Sequence, residues 1–213
     1  MRDGFLLKLL LIRHGQSVAN SKGRWQGQMD SPLTDRGREQ ARALARRLVR
    51  EGWSVSAIHT SDLSRAAETA EILGSALQAP LFLDERLREY DIGKLTGLDR
   101  FEVEDLYPDV WRALGQSPAW PAIPGEEGNG AFLRRIVSAL DEIRSTHGQE
   151  QVVVVVTHGR TLSMILAHLL EIDPDRHTPF RFGNTSFSVV EIHPHRNLLS
   201  CLNDLCHLEH DLR

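Results

Sequence analysis

Two cysteines, Cys201 and Cys206, are all that the 213 residues contain, and their spacing fits neither a CxxC redox pair nor a structural zinc site. The chain therefore reads as a cytoplasmic protein with reduced thiols, not as a disulfide-built secreted module. Positive charge is also scarce. The 25 Lys and Arg are outnumbered by 29 Asp and Glu, leaving a formal net charge of −4, without the basic excess that a nucleic-acid binder uses to neutralise phosphates. Apolar runs are short, and none approaches the roughly 20 residues of a membrane-spanning helix. The apolar opening over residues 5–12 is broken by Lys8 and followed by Arg13 and His14, not by the small residues of a signal-peptide cleavage site. These absences exclude a nucleic-acid or membrane partner and leave a small polar substrate. The histidines near the end, His193, His195, His207 and His210, have no compact ligand spacing with cysteine or carboxylate support, so they predict a solvated tail and no metal site.

What is present is an alternation of strand and helix signals in a length that suits one domain, residues 1–213, with one active site. Residues 5–12 and 152–156 are almost purely apolar, the mark of strands buried on both faces of a parallel sheet, and both are expected to lie centrally. Over residues 35–50, Ala41, Leu44, Ala45 and Leu48 recur at helical spacing with Arg42, Arg46, Arg47 and Arg50 on a solvated face, and Gly52 is a stop signal. Next come a strand over 55–59, a helix over 63–77 and a short strand at 81–83. Residues 84–130 are irregular, hold four of the nine prolines and carry weak helical stretches at 101–106 and 110–114; they predict an inserted lobe over the substrate. Helices follow over 132–143 and 161–170. Strands over 186–192 and 198–202, joined by a turn-prone segment, predict an antiparallel hairpin at one sheet edge. The expected fold class is α/β, a three-layer sandwich with a mostly parallel central sheet, an antiparallel edge and a small inserted lobe.

The chemistry sits at strand ends. The first strand runs into Arg13, His14, Gly15 and Gln16, and the strand over 152–156 into Thr157, His158 and Gly159, whose following helix offers free N–H groups to an anion. Open α/β sheets bind ligands at this carboxyl edge. Arg65, in the first turn of the helix after a third strand, can turn back to the same place. One such feature would be an ordinary turn; three converging on one pocket suit a phosphoryl group. Guanidinium forks from Arg13 and Arg65 can bind phosphate oxygens and neutralise charge that spreads over them during transfer. The same arginines disfavour a protonated imidazole nearby, which keeps a lone pair available for attack on phosphorus. On these residues alone the nucleophile is His14 or His158.

The blocks LIRHGQS, Asn20, RWQGQMDSPLTDRG, SDLSRAAETA, LREYDIGKLTG, VVVVVTHG, FGNTSFSVVEI and LNDLCHL occur in that order from Leu9 to about Leu208. In this the chain resembles the histidine phosphatase superfamily, the branch that also contains the cofactor-dependent phosphoglycerate mutases. The resemblance implies that His14 is phosphorylated, that Arg13, Arg65 and His158 bind and stabilise the phosphoryl group, and that Asn20 and the backbone of Gly159 add hydrogen bonds. It makes Glu89 the general acid for the departing alcohol and places Gln26 near the substrate. Two departures stand out. PGEEGNG replaces a PGGES-like stretch, so that Glu126 stands for a glycine and Gly128 for a serine, and Gln16 and Ser17 follow the RHG triplet.

The resemblance thus implies a metal-independent phosphatase that needs no cofactor and acts on a small phosphorylated metabolite. Phosphoglycerates, sugar phosphates, phosphoserine and α-ribazole phosphate all suit its core, and a homodimer is compatible with it. A phosphoglycerate mutase is the alternative, disfavoured by Thr96, Asp99 and Arg100, where mutases carry Gln, Asn and Lys, and by a short lobe. A non-catalytic phosphate-binding module is a second alternative, disfavoured because His14 and Glu89 are both present.

Overall fold

The computed structural model describes residues 6–116, 121–148, 150–173 and 180–212. Burial on both faces puts the two purely apolar strands at the centre of the sheet. β1 (Leu7–Arg13) and β4 (Gln151–Thr157) lie side by side and parallel at the centre of a six-stranded sheet. On one side of them come β2 (Ala57–Thr60) and β3 (Leu81–Leu83), both parallel; on the other come β5 (Phe187–Ile192), antiparallel to β1, and β6 (Asn197–Asp204), antiparallel to β5. The order is β3-β2-β4-β1-β5-β6, and a single helical turn, α1 (Val18–Ser21), follows β1.

Alternation along each strand divides the core into two. Leu10 and Ile12 of β1 and Val154 and Val156 of β4 pack against α2 (Asp35–Arg50) and α3 (Ser64–Leu77). Leu9, Leu11, Val153 and Val155 face the opposite way, against α6 (Asn129–Thr146) and α7 (Gly159–Leu169). This is the period-2 pattern of a sheet covered on both faces. Leu9, Leu10, Leu11 and Ile12 have no exposed surface, and full burial of each such side chain contributes about 1.5–3 kcal/mol. The three-layer α/β sandwich, central pair and edge hairpin read from the sequence are all present. Among the described residues no helix is long and apolar enough to cross a membrane.

Element ends differ by up to three residues from the sequence reading, most at α6, read as 132–143, and two differences have a physical cause. The last parallel-strand helix starts at Gly159 instead of 161, directly after β4; Gly159 and Arg160 carry no apolar periodicity, so the pattern begins two residues late. The hairpin strand read as 198–202 extends to Asp204 because backbone pairing continues beyond its apolar residues. Between residues 84 and 128 the described chain has no strand. It forms two short 3-10 turns, Glu85–Leu87 and Gly93–Leu95, then the helices α4 (Arg100–Leu106) and α5 (Pro108–Gln116). Its far end belongs to α6, whose N-cap Gly128 has φ +77 and makes no side-chain cap.

Two solvated groups in the sequence reading are corrected. Arg47 is drawn inward: it forms a bidentate pair with Asp204 at 2.7 and 2.9 Å, a further bond to Glu51 at 2.7 Å, and stacks 4.8 Å over the Phe187 ring. His207 is also partly buried, with Nε2 at 3.0 Å from Thr185 Oγ1; burial is the main cause that lowers its pKa to about 4. Spacing alone could not show either, because Arg47 meets Asp204 and Phe187 of the distant hairpin and His207 meets Thr185, on the far side of that hairpin in sequence. The side chain of His210 lies outside the described residues.

The turn after β1 rides on the start of α2 with no room for side chains. A Cβ on Gly37 would stand 2.2 Å from Gln16 O, and one on Gly15 would stand 2.5 Å from Gly37 O. Gly37→Ala therefore sets a helix-propensity gain of about 1 kcal/mol against a backbone clash, and the clash wins. The expected result is a net loss of about 1–3 kcal/mol, read as a Tm lowered by several degrees, together with reduced activity. An unchanged or raised Tm contradicts the contact.

Candidate active site

Register builds the centre of the site. Arg13 pairs with Thr157 across the parallel ladder, so the next residues, His14 and His158, stand beside each other with ring centroids 5.1 Å apart. The His14 amide donates to Thr157 O at 2.9 Å. His14 is 3% exposed and His158 and Arg65 no more than 1%. Arg65 reaches the same point from the first turn of α3, donating through Nε to His158 Nδ1 at 3.2 Å.

Hydrogen bonding fixes both histidine tautomers. His14 Nδ1 lies 2.7 Å from Gly15 O; a carbonyl only accepts, so Nδ1 carries the proton and Nε2 keeps a lone pair. His158 Nδ1 accepts from Arg65, so its proton is on Nε2, which donates to Ser61 Oγ at 2.9 Å. The pKa values of both rings lie well below the ordinary 6.5, for His14 through burial first and then the Arg65 and Arg13 charges, and for His158 through burial, Arg65 and His14. Both are neutral at pH 7. The arginine effect expected from the sequence is present, with burial the larger cause.

Donors surround these rings. Arg65 uses three of its five N–H groups, on His158, on Met29 O at 2.8 Å and on Gly27 O at 2.9 Å, which leaves two N–H groups without an acceptor among the described residues. Burial lowers its pKa to about 10, opposed by Glu89 and Asp30, so it remains a cation. Arg13 spends Nη1 on Phe182 O at 2.6 Å, while its Nε is buried with no hydrogen-bond partner. A Cβ on Gly159 would stand 3.8 Å from that Nε. The Gly159 amide, first in α7, has no acceptor among the described residues. Buried N–H groups left in this way are the mark of an anion site at a helix start.

Glu89 occupies the next two amides of α7. Its Oε1 accepts from Thr161 N at 3.1 Å, Thr161 Oγ1 at 3.2 Å and Tyr90 N at 2.9 Å, and its Oε2 from Arg160 N at 3.2 Å. Asn20 Oδ1 accepts from Ser17 N at 3.2 Å and from Asn184 Nδ2 at 3.3 Å, which turns the Asn20 amino group the other way. Gln26 is 9% exposed, not a surface turn residue, and accepts from Ser17 Oγ at 2.9 Å.

The fold thus brings Arg13, His14, Asn20, Gln26, Arg65, Glu89, His158 and Gly159 around one sheet edge. The supporting residues escaped the sequence reading. Ser61 Oγ accepts the proton that His158 Nε2 carries. Thr69 Oγ1 accepts from Gly15 N at 3.0 Å and donates to Arg65 O at 2.7 Å. Asn184 donates to His14 O at 3.0 Å, and Thr185, held at φ +59, donates its amide to Arg13 O at 3.0 Å. Asn184 and Thr185 lie within the block FGNTSFSVVEI, whose order along the chain was legible while their contacts were not.

A parallel sheet edge carrying two neutral histidines, two arginines and a helix start defines an enzyme site for a phosphate ester. Comparison with known proteins agrees. The family model of the histidine phosphatase superfamily (branch 1) matches residues 9–205. Phosphoserine phosphatase 1 of Hydrogenobacter thermophilus is 34% identical over 203 residues, covering 95% of both chains. The probable phosphoglycerate mutase GpmB of Yersinia enterocolitica is 34% identical over 87% of this chain and 85% of its own. Among solved structures, mycobacterial glucosyl-3-phosphoglycerate phosphatase in complex with VO3 superposes with a TM-score of 0.81 at 29% identity, covering 92% of this chain and 98% of that one. The chain belongs to the histidine phosphatase superfamily. It is a phosphoric monoester hydrolase of that type.

Proposed function

We propose that the protein hydrolyses small phosphomonoesters without a metal, by passing the phosphoryl group through His14. The observation that carries this reading is the His14 Nδ1–H bond to Gly15 O, which leaves the Nε2 lone pair of a buried, neutral ring among Arg13, Arg65 and the start of α7. In the first step Nε2 forms a bond to phosphorus as the P–O bond to the alcohol breaks, and the Glu89 carboxyl gives its proton to the departing oxygen. In the second a water attacks phosphorus, its proton passes to Glu89, and the N–P bond breaks to release phosphate. Arg13, Arg65, Asn20, His158 and the Gly159 amide stabilise the phosphoryl oxygens, with His158 exchanging its Ser61 contact for one of them, and Gln26 lies beside the ester. Residues 84–130 act as the covering lobe.

The mutase relative favours a second reading, in which phosphohistidine returns its phosphoryl group to a bound glycerate. One experiment separates the two. The protein is incubated in chelator with an aryl phosphate, and separately with 3-phosphoglycerate plus catalytic 2,3-bisphosphoglycerate. Steady release of inorganic phosphate that depends on His14 supports hydrolysis. Interconversion of phosphoglycerates with little phosphate release makes the protein a mutase, and a strict metal requirement overturns the metal-free reaction.

A further inference from the structure

Glu89 sits on a loop, and a general acid must be held within hydrogen-bond reach of one oxygen. The side chain is fixed from the front by the α7 amides. The backbone that carries it is fixed from behind by one residue of α6. Arg135 donates through Nη1 to Arg86 O and Arg88 O, both at 2.7 Å, and through Nη2 to Glu89 O at 2.9 Å. Its Nε and Nη2 also bind the two carboxylate oxygens of Glu127, at 2.9 and 2.6 Å. A guanidinium has five N–H groups, and all five are spent. Glu127 in turn accepts from Asp91 N at 2.8 Å, and its own amide donates to Asp91 O at 3.2 Å. Residues on both sides of Glu89 are therefore tied to the same ion pair.

We propose that Arg135, oriented by Glu127, is a positioning residue that sets the Glu89 carboxyl for proton transfer to the leaving oxygen. This rests on the general-acid role of Glu89 proposed above. Three carbonyls of one short segment drawn toward α6 leave the Glu89 side chain to extend the opposite way, onto the start of α7. The pair is enclosed, with side chains 18% and 16% exposed, and the guanidinium lies 4.8 Å over the Phe132 ring, so its geometry is held by packing as well as charge. Lysine cannot replace it, because an ammonium offers three N–H groups from a single point and cannot span three carbonyls and a carboxylate together.

The test compares kcat/KM for a substrate with a good leaving group, p-nitrophenyl phosphate, and one with a poor leaving group, glycerol 2-phosphate. It uses wild type, Glu89→Gln, Arg135→Lys and Glu127→Gln, with Tm and orthovanadate affinity measured for each. kcat/KM covers the steps up to release of the alcohol, so it reports protonation of the leaving group. Glu89→Gln is expected to lose about 10²-fold or more on glycerol phosphate and far less on the aryl phosphate. Arg135→Lys and Glu127→Gln are expected to show the same leaving-group dependence, with a loss of about 10²-fold on the poor leaving group and vanadate affinity within about threefold of wild type.

Equal losses on both substrates in the Arg135 and Glu127 variants, or no loss on either, overturn the positioning role. If Glu89→Gln itself shows no leaving-group dependence, the general-acid assignment fails instead, whatever the other two variants do. Should Arg135→Lys not fold, Glu127→Gln, which keeps the side-chain volume, carries the test alone.

Discussion

His14→Ala will lower kcat/KM for phosphomonoester hydrolysis by at least about 10⁴-fold, the scale on which removing a covalent nucleophile acts. The loss should be chemical and not structural. His14 makes one side-chain hydrogen bond, to the neighbouring Gly15 carbonyl, so a folded variant is expected. Wild type incubated with labelled substrate and quenched should carry a phosphoryl group that is stable to alkali and labile to acid, as a phosphorus–nitrogen bond is; the variant should carry none. Retention of more than about a hundredth of the activity, or labelling of the variant, sinks the mechanism.

The same residue fixes a pH dependence. Burial and the two arginine charges place the His14 pKa well below 6.5. A lowered imidazole pKa means that the neutral, attacking form persists as pH falls through 6.5. Once the substrate's own second ionisation near pH 6 is allowed for, kcat/KM should show no acid limb between pH 7 and 6. A limb at 6.5 would mean an imidazole as open to water as a free one, in conflict with its 3% exposure.

Arg65→Lys has the second largest expected effect, a loss of about 10²–10³-fold in kcat/KM. The charge is kept, so the loss isolates the fork. In the folded protein the guanidinium bridges Gly27 O, Met29 O and His158 Nδ1 and still has two N–H groups left. Lysine can satisfy some of those acceptors or a phosphate, not all together. Each buried acceptor left unpaired costs about 1–3 kcal/mol, so Tm should fall as well, and orthovanadate should bind at least about tenfold more weakly. Activity within tenfold of wild type would show that charge alone suffices at this position and that the fork geometry does not matter.

Much of this was legible in the amino-acid order. Purely apolar segments such as residues 152–156 can only be buried on both faces, which makes them central parallel strands, and polar residues directly after them must emerge at the carboxyl edge. That reasoning places Arg13, His14 and His158 without coordinates. Arg65 followed from its position in the first turn of a helix after a neighbouring strand. Glu89 did not: nothing about a carboxylate before two glycines distinguishes it, and only the family resemblance singled it out. Its partners, the α7 amides and the Arg135 clamp, come from residues 46 to 72 positions away.

The sequence by itself determined the strand and helix order, the burial pattern and the residue types at the sheet edge, because these follow from periodicity and from where an apolar run stops. Only the tertiary structure decided which ring nitrogen of His14 bears the proton, that Arg65 leans on His158, that Arg47 and His207 are partly buried, and that five N–H groups of one arginine hold the acid's backbone. Those are contacts between distant segments. They depend on register and close packing to within an ångström, which the pattern of residues along a chain does not encode locally.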